Sequence, residues 1–208
     1  MNSHPHARTI WNRLMKEFGN EKGVAGLMGN LRAESGLYPD RVQGDIPYSD
    51  FSKQYTAEVD NGTITREVFA HNGPNGGGYG LAQWTFYTRK YALYDMWKSG
   101  GYSSIGSVEL GCDFLIHELK NSYSGLYDMI KNAVSIRTVS DYILHDFENP
   151  ADQSTSVEEL RESLGKEVYE AFSGSSETPD NPDEPNPTPS KVRKLSKLLL
   201  YAVASDIY

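Results

Sequence analysis

One cysteine, Cys112, in 208 residues leaves no disulfide within the chain and no CxxC metal site. That usage fits folding in a reducing cytoplasm. The five histidines show neither the HExxH pattern nor another compact ligand spacing, so no metal and no other cofactor is expected. GxSxG is missing, as are GxxxxGK[ST] and GxGxxG, which removes the local signatures of a serine hydrolase and of a phosphate loop. With a formal net charge of -8 and no basic run long enough for a backbone-binding face within residues 1–172, nucleic acid is not an expected partner. No uncharged apolar run approaches the roughly 20 residues that a membrane-spanning helix needs. The opening MNSHPHARTIWNRLMKEF lacks an apolar stretch between a basic head and a small-residue cleavage site, so a secretory signal is not expected either.

What the chain does contain is 38% hydrophobic and 12% aromatic residues, enough for one sizeable core. Its most informative stretch is Val24 to Pro39, VAGLMGNLRAESGLYP. Val24, Leu27, Met28 and Leu31 recur at the helical period, and Glu34 continues that apolar stripe. Gly36 and Pro39 stop the helix, which puts Glu34 in its last turn. A carboxyl among apolar neighbours near the negative end of a helix is expected to resist ionisation, as a general acid working near neutral pH must. Pairing with a nearby cation, Arg32 or Arg41, is the plainer alternative.

Before this helix, Ile10, Trp11, Leu14, Met15 and Phe18 form one apolar face that predicts a helix over residues 7–18, closed by Gly19. Ala25, Gly26 and Gly29 are small enough to let a neighbouring element approach the second helix closely. From Asp40 to Gly78 the helical period fades. Tyr55 to Glu67, YTAEVDNGTITRE, reads as a small hairpin or irregular lobe around a DNG turn. Tyr38, Tyr48, Phe51 and Tyr55 would order that lobe as one wall of a cleft.

The stretch NGPNGGGYGLAQWTFYTRK, residues 72–90, permits close backbone approach to a ligand through its glycines, or serves as a flexible connection. Tyr79, Gln83 and Trp84 then offer two aromatic surfaces beside an amide, which suits a sugar; the alternative is that Trp84 is a core anchor. The remainder predicts helices. Thr85 is placed to cap one presenting Tyr87, Tyr91, Tyr94 and Trp97; Ser107 caps one with Val108, Cys112, Leu115 and Leu119. Further stripes are Leu126, Met129 and Ile130, and Val139, Tyr142, Ile143 and Phe147. Ser156 with Glu159 fits a capping box for a last helix turning Val157, Leu160, Leu164, Val168 and Phe172 inward. Cys112 lies on a stripe and reads as a buried structural thiol.

Three segments emerge from this pattern: a domain over 1–172, a Pro-rich acidic linker over 173–190, and a basic amphipathic tail over 191–208. The tail suits peripheral contact with a membrane, a wall polymer or a partner, or is the start of another module.

With metal, serine and cysteine chemistry disfavoured, carboxylate chemistry in an aromatic-rich cleft points to glycosidic bond cleavage. AGLMGNLRAESGLYP, followed by GYGLAQWT and Arg89, resembles the phage tail lysozyme family of peptidoglycan hydrolases, within the wider lysozyme-like superfamily. YTAEVDNG, SIGSVELGCDFLIHEL and FENPADQSTSVEELR look like later segments of its clostridial and streptococcal phage members, and the resemblance spans approximately residues 7–172. It implies a mainly α-helical lysozyme-like domain with a small irregular or hairpin lobe, and Glu34 as catalytic acid. Gln83 takes the place of the cleft-lining glutamine of goose-type lysozymes and lytic transglycosylases. Tyr55, Tyr79 and Trp84 are the remaining expected substrate contacts. HNGPNGGG departs from relatives, which carry a shorter segment with an Asp.

For a second carboxylate the lobe offers Asp45, Asp50, Glu58 and Asp60. Asp60 is preferred because a DNG hairpin tip would present it; Glu148 is the outsider for that role, read more readily as a helix-end or turn residue near Pro150. Without a second carboxylate, the substrate's acetamido group or 6-hydroxyl would do that work, the latter giving a lytic transglycosylase. The expected partners are peptidoglycan glycan strands, and other virion proteins if the chain serves in a tail. The resemblance implies synthesis in a host cytoplasm and action at the bacterial wall. A non-catalytic wall-binding virion module is the alternative from a different class.

Overall fold

Nine consecutive residues of one helix, Gly23 to Leu31, are buried, and the fold is the set of helices that surrounds them. A computed structural model describes residues 1–71 and 77–174. The chain divides into two units, Met1–Ser173 and Gly174–Tyr208, and the helical domain is the first of them. Residues 72–76 of the glycine-rich stretch, and the linker and tail from residue 175 onward, lie outside the described residues.

The helices are α1 (Ala7–Phe18), α2 (Glu21–Ser35), α3 (Asp50–Asp60), α4 (Arg66–His71), α5 (Tyr87–Gly100), α6 (Val108–Ser122), α7 (Ser124–Lys131), α8 (Ile136–Tyr142) and α9 (Thr155–Phe172). A π-helical segment, Ile143–Glu148, continues α8. Two isolated bridges, Val42 with Tyr79 and Tyr79 with Trp84, are the β pairings among the described residues, so the domain is mainly α.

The first two helices start and stop as their sequence dictates. Gly19 takes a left-handed conformation and returns its N–H to Met15 O. Asn20 caps α2 by accepting from Gly23 N, and Gly36 closes it in the left-handed region with its N–H on Arg32 O. Helix α2 packs most extensively on α9, then on α8, α1 and α7. Two glycines allow this closeness. A Cβ at Gly29 would lie 2.6 Å from Arg161 O and Gly165 N of α9, and one at Gly23 would lie 2.0 Å from Ile130 O of α7. Neither backbone can yield cheaply. Gly29→Ala is therefore expected to lower stability by about 1–3 kcal/mol or more, read by thermal unfolding, because overpacking would push α9 away. An unchanged melting temperature would show that α9 rides freely on α2.

The irregular lobe is helical where a hairpin was expected. Residues Tyr55 to Asp60 complete α3, and the DNG segment ends it, with Asn61 N on Ala57 O. Ser52, Tyr55, Thr56 and Val59 are the buried positions, spaced at the helical period. Ser49 caps the helix by accepting from Phe51 N. Caps differ elsewhere too. Ser107 does accept from Leu110 N at the start of α6, whereas Thr85 turns back to Gln83 O and leaves Phe86 at the uncapped start of α5. Helix α9 begins at Thr155 after Ser154, without the capping box predicted from Ser156 and Glu159. Its buried side is Val157, Arg161, Leu164, Gly165, Val168 and Phe172, so an arginine stands where Leu160 was expected. Cys112 is buried, and that burial pushes its thiol up to about 12.

Candidate active site

The last turn of α2 delivers Glu34 to the edge of the core, its side chain 20% exposed and thus reachable from solvent. Its partner is neither Arg32, which pairs with Glu167, nor Arg41, which donates to Asp45 O. Arg161 of α9, with a side chain only 7% exposed, donates through Nη2 to Glu34 Oε1 in a short ion pair. The other arm of the same guanidinium donates to Asn30 Oδ1 at 3.0 Å. Asn30, one turn before Glu34, is fully buried and donates to Gly26 O, Ser140 O and Ser140 Oγ. A buried polar chain therefore runs Ser140, Asn30, Arg161, Glu34 and fixes the carboxyl from below.

A second carboxyl, on the π-helix, lies within the electrostatic field of Glu34 and Arg161. Glu148 ends that segment, and Asn149 beyond it turns left-handed, φ 46°, returning its N–H to Leu144 O. The Glu148 Oε1 atom is closed off from solvent and has no hydrogen-bond partner. Burial first, and then the negative charge of Glu34, push the Glu148 carboxyl well above the usual carboxylate range, against the pull of Arg161 and Arg89. π-Helical turns recur at functional sites, where the extra residue re-aims a side chain.

Arg89 and Glu118 form the third part. The Arg89 guanidinium grips Glu118 with Nε on Oε1 at 2.7 Å and Nη2 on Oε2 at 2.8 Å, and Trp84 Nε1 donates to Glu118 Oε2 at 2.6 Å. Trp84 is fully buried and Tyr79 is 2% exposed, its hydroxyl 2.8 Å from Thr56 Oγ1. Neither presents a ring face to a ligand, and Tyr55, 8% exposed, does not either. These are core anchors, because an indole N–H and a phenol can be buried once each has found a partner. Gln83, at φ 44°, holds the Tyr79–Trp84 turn against the preceding loop, its Nε2 donating to Arg41 O at 3.1 Å and Gly80 O at 3.0 Å. Lys90, also buried, donates to Gly77 O and secures the end of the glycine-rich stretch.

The expected second carboxylates lie in structural roles. Asp45 accepts from the hydroxyls of Ser49 and Ser52 and from both backbone N–H groups, and these bonds outweigh its burial and lower its pKa. Asp60 is at the end of a helix and not on a hairpin tip, and accepts Ile105 N at 2.9 Å. Asp50 pairs with Lys53, and Glu58 accepts from Gln54. On the sequence Glu148 is only an outsider for the second carboxylate, Arg89 enters only through the family motif, and Arg161 and Glu118 are not singled out. Arg161 did leave a signal, a cation on the Val157, Leu164, Val168 stripe that mirrors Glu34 on its own stripe. Among the described residues, no three His, Cys, Asp or Glu side chains are grouped to hold a metal ion.

An acid at the end of the central helix, held by a buried arginine and open to solvent on one side, is an arrangement for moving a proton at a solvent-reachable point. The sequence pattern described as phage tail lysozyme matches residues 5–172, nearly the whole of the described domain. The chain belongs to the phage tail lysozyme family. Membership suggests a lysozyme-like peptidoglycan hydrolase acting at the cell wall, with peptidoglycan as its substrate. No curated protein sequence matches the chain. No helix among the described residues of this family member is long and apolar enough to cross a membrane.

Proposed function

We propose that this phage tail lysozyme cleaves the β-1,4 glycosidic bonds of peptidoglycan with Glu34 as the group that protonates the leaving oxygen. The observation that carries this reading is the placement of Glu34 in the last turn of the most buried helix, partly open to solvent, with Arg161 and Asn30 fixing it from beneath. A wall-binding module would gain nothing from burying this charge cluster, which costs desolvation on every member. The exposed Phe86, shortly after the Gln83–Trp84 turn, offers a ring face for a sugar to stack on. Gln83 acts by shaping that turn.

Asp60 serves the loop at Ile105 in this reading. Asp60→Asn is expected to keep full turnover, since the amide oxygen still accepts Ile105 N–H, while Asp60→Ala costs about 1 kcal/mol of stability for the lost bond. Loss of turnover in a folded Asp60→Asn protein would restore Asp60 as the second carboxylate.

Without a second carboxylate beside the scissile bond, the substrate's acetamido group or 6-hydroxyl supplies the nucleophile, giving hydrolysis or lytic transglycosylation. Digesting isolated bacterial walls with the full chain and analysing the fragments separates the outcomes. New reducing ends identify hydrolysis, and anhydro-sugar ends identify transglycosylation. Walls that retain bound protein and release no fragments would overturn the enzymatic reading in favour of a binding module.

A further inference from the structure

Three arginines of this domain grip a carboxylate with two arms. Arg13 on Asp113, Arg66 on Asp95 and Arg89 on Glu118 each place Nε on one carboxylate oxygen and Nη2 on the other, at distances between 2.5 and 2.8 Å. Arg161 holds Glu34 with one arm. Its Nη2 donates to Glu34 Oε1 and its Nη1 to Asn30 Oδ1 at 3.0 Å, while Nε, which completes the fork in the other three pairs, is buried without a partner. Among the described residues nothing hydrogen-bonds to Glu34 Oε2.

The cause of the difference is Asn30. It lies one turn before Glu34 on α2, is fully buried, and spends its Nδ2 on Gly26 O at 3.0 Å, Ser140 Oγ at 3.0 Å and Ser140 O at 3.3 Å. With the amide donor so engaged, Oδ1 is left facing the guanidinium. We infer that Asn30 is a positioning residue: by taking Nη1 it turns Arg161 so that the guanidinium meets Glu34 at one oxygen only, and Oε2 is left to carry the proton used in catalysis. The inference rests on Glu34 being the acid of the proposed glycosidase reaction.

A two-armed pair has no place for a proton. With an N–H on each oxygen, a hydrogen added to either would face a donor, so protonation has to break the pair, and the ionised form is favoured. A one-armed pair accommodates both states. Oε1 accepts from Nη2 throughout, and Oε2 gains or loses the hydrogen. In the reaction the Oε2–H bond breaks and an O–H bond forms on the leaving oxygen, which takes the electron pair of the glycosidic C–O bond. The charge left on Glu34 already has Arg161 beside it. Asn30 itself, sealed in the core, meets no substrate and acts through Arg161.

The test is the pH profile of kcat/KM on wall glycan for the full chain, for Asn30→Leu and for Arg161→Lys, with NMR titration of the Glu34 carboxyl in glutamate-labelled protein. Leucine keeps the size of Asn30 and removes the acceptor, which frees the guanidinium to take both oxygens of Glu34. The alkaline limb of Asn30→Leu is expected at least one pH unit below that of the parent, about a tenfold loss of kcat/KM on that side, with the Glu34 titration moved down alongside. A lower rate with an unmoved limb would show a structural role only and overturn the inference. An ammonium has no fork to align, so adding Asn30→Leu to Arg161→Lys is expected to leave the limb in place. A shift of equal size in both backgrounds would mean that Asn30 does not act through the guanidinium. Should Asn30→Leu fail to fold, Arg161→Lys decides: retained turnover supports the one-armed hold, and a folded variant as inactive as Arg161→Met overturns it. Full activity of Glu34→Gln would defeat the acid assignment by itself, and the titration of Glu34 in Asn30→Leu would still read whether Asn30 sets the pair.

Discussion

Glu34→Gln is expected to fold as the parent does and to lose roughly a hundred- to ten-thousand-fold in the rate of wall-glycan cleavage. The amide keeps the shape of the side chain, and its oxygen can still accept from Arg161 Nη2, so the chain of Asn30, Arg161 and residue 34 persists. It cannot hand over a proton. Release of fragments from walls, measured beside far-ultraviolet circular dichroism and thermal unfolding, checks both halves of the expectation. Parent-like release by the folded variant would sink the assignment of Glu34.

Arg161→Met is expected to cost about 3–5 kcal/mol, the range for removing one partner of a buried ion pair, together with most of the activity. Methionine fills a similar length of the α9 stripe between Val157 and Leu164, so the effect is mainly one of charge. Glu34 and Asn30 Oδ1 lose their donor, and Glu148 loses one of the two cations that oppose its burial. The pH dependence has a definite sign. Glu148 already titrates above its unfolded value, and loss of Arg161 raises it further, so its stabilising contribution is present at acid pH and is lost as pH rises. The stability deficit of Arg161→Met is accordingly expected to be small below the ordinary glutamate range, and to grow through neutral pH. A deficit constant with pH would mean that Arg161 acts through packing alone. The double variant Arg161→Met with Glu148→Gln should recover part of the loss at neutral pH, since the excess charge leaves with the cation.

Much of the helical frame was legible because its signals are local. The α1 stripe from Ile10 to Phe18, the left-handed caps at Gly19 and Gly36, and the Ser107 cap each depend on residues within one or two turns. Helix α3 was not legible for an equally physical reason. Two of its four buried positions are Ser52 and Thr56, which read as polar, and their burial is made possible by Asp45 and by the Tyr79 hydroxyl. The DNG segment then looked like a hairpin turn, although it serves as a helix end. Trp84 and Tyr79 looked like sugar platforms for a related reason. Whether an aromatic ring is exposed depends on whether its polar atom finds a partner inside, and Glu118 and Thr56 come from other helices.

By itself the sequence determined the family, the mainly helical class and the place of Glu34, since an acid on an apolar stripe just before a helix-stopping glycine needs nothing distant to be recognised. Only the tertiary structure decided which cation meets that acid, which aromatics are core, and that Glu148 lies within the field of Glu34 and Arg161. These depend on charge and burial summed over α2, α5, α6, the π-helix and α9. A carboxyl's hold on its proton is set by every charge and every apolar wall around it in space, and neighbours along the chain supply only a few of them.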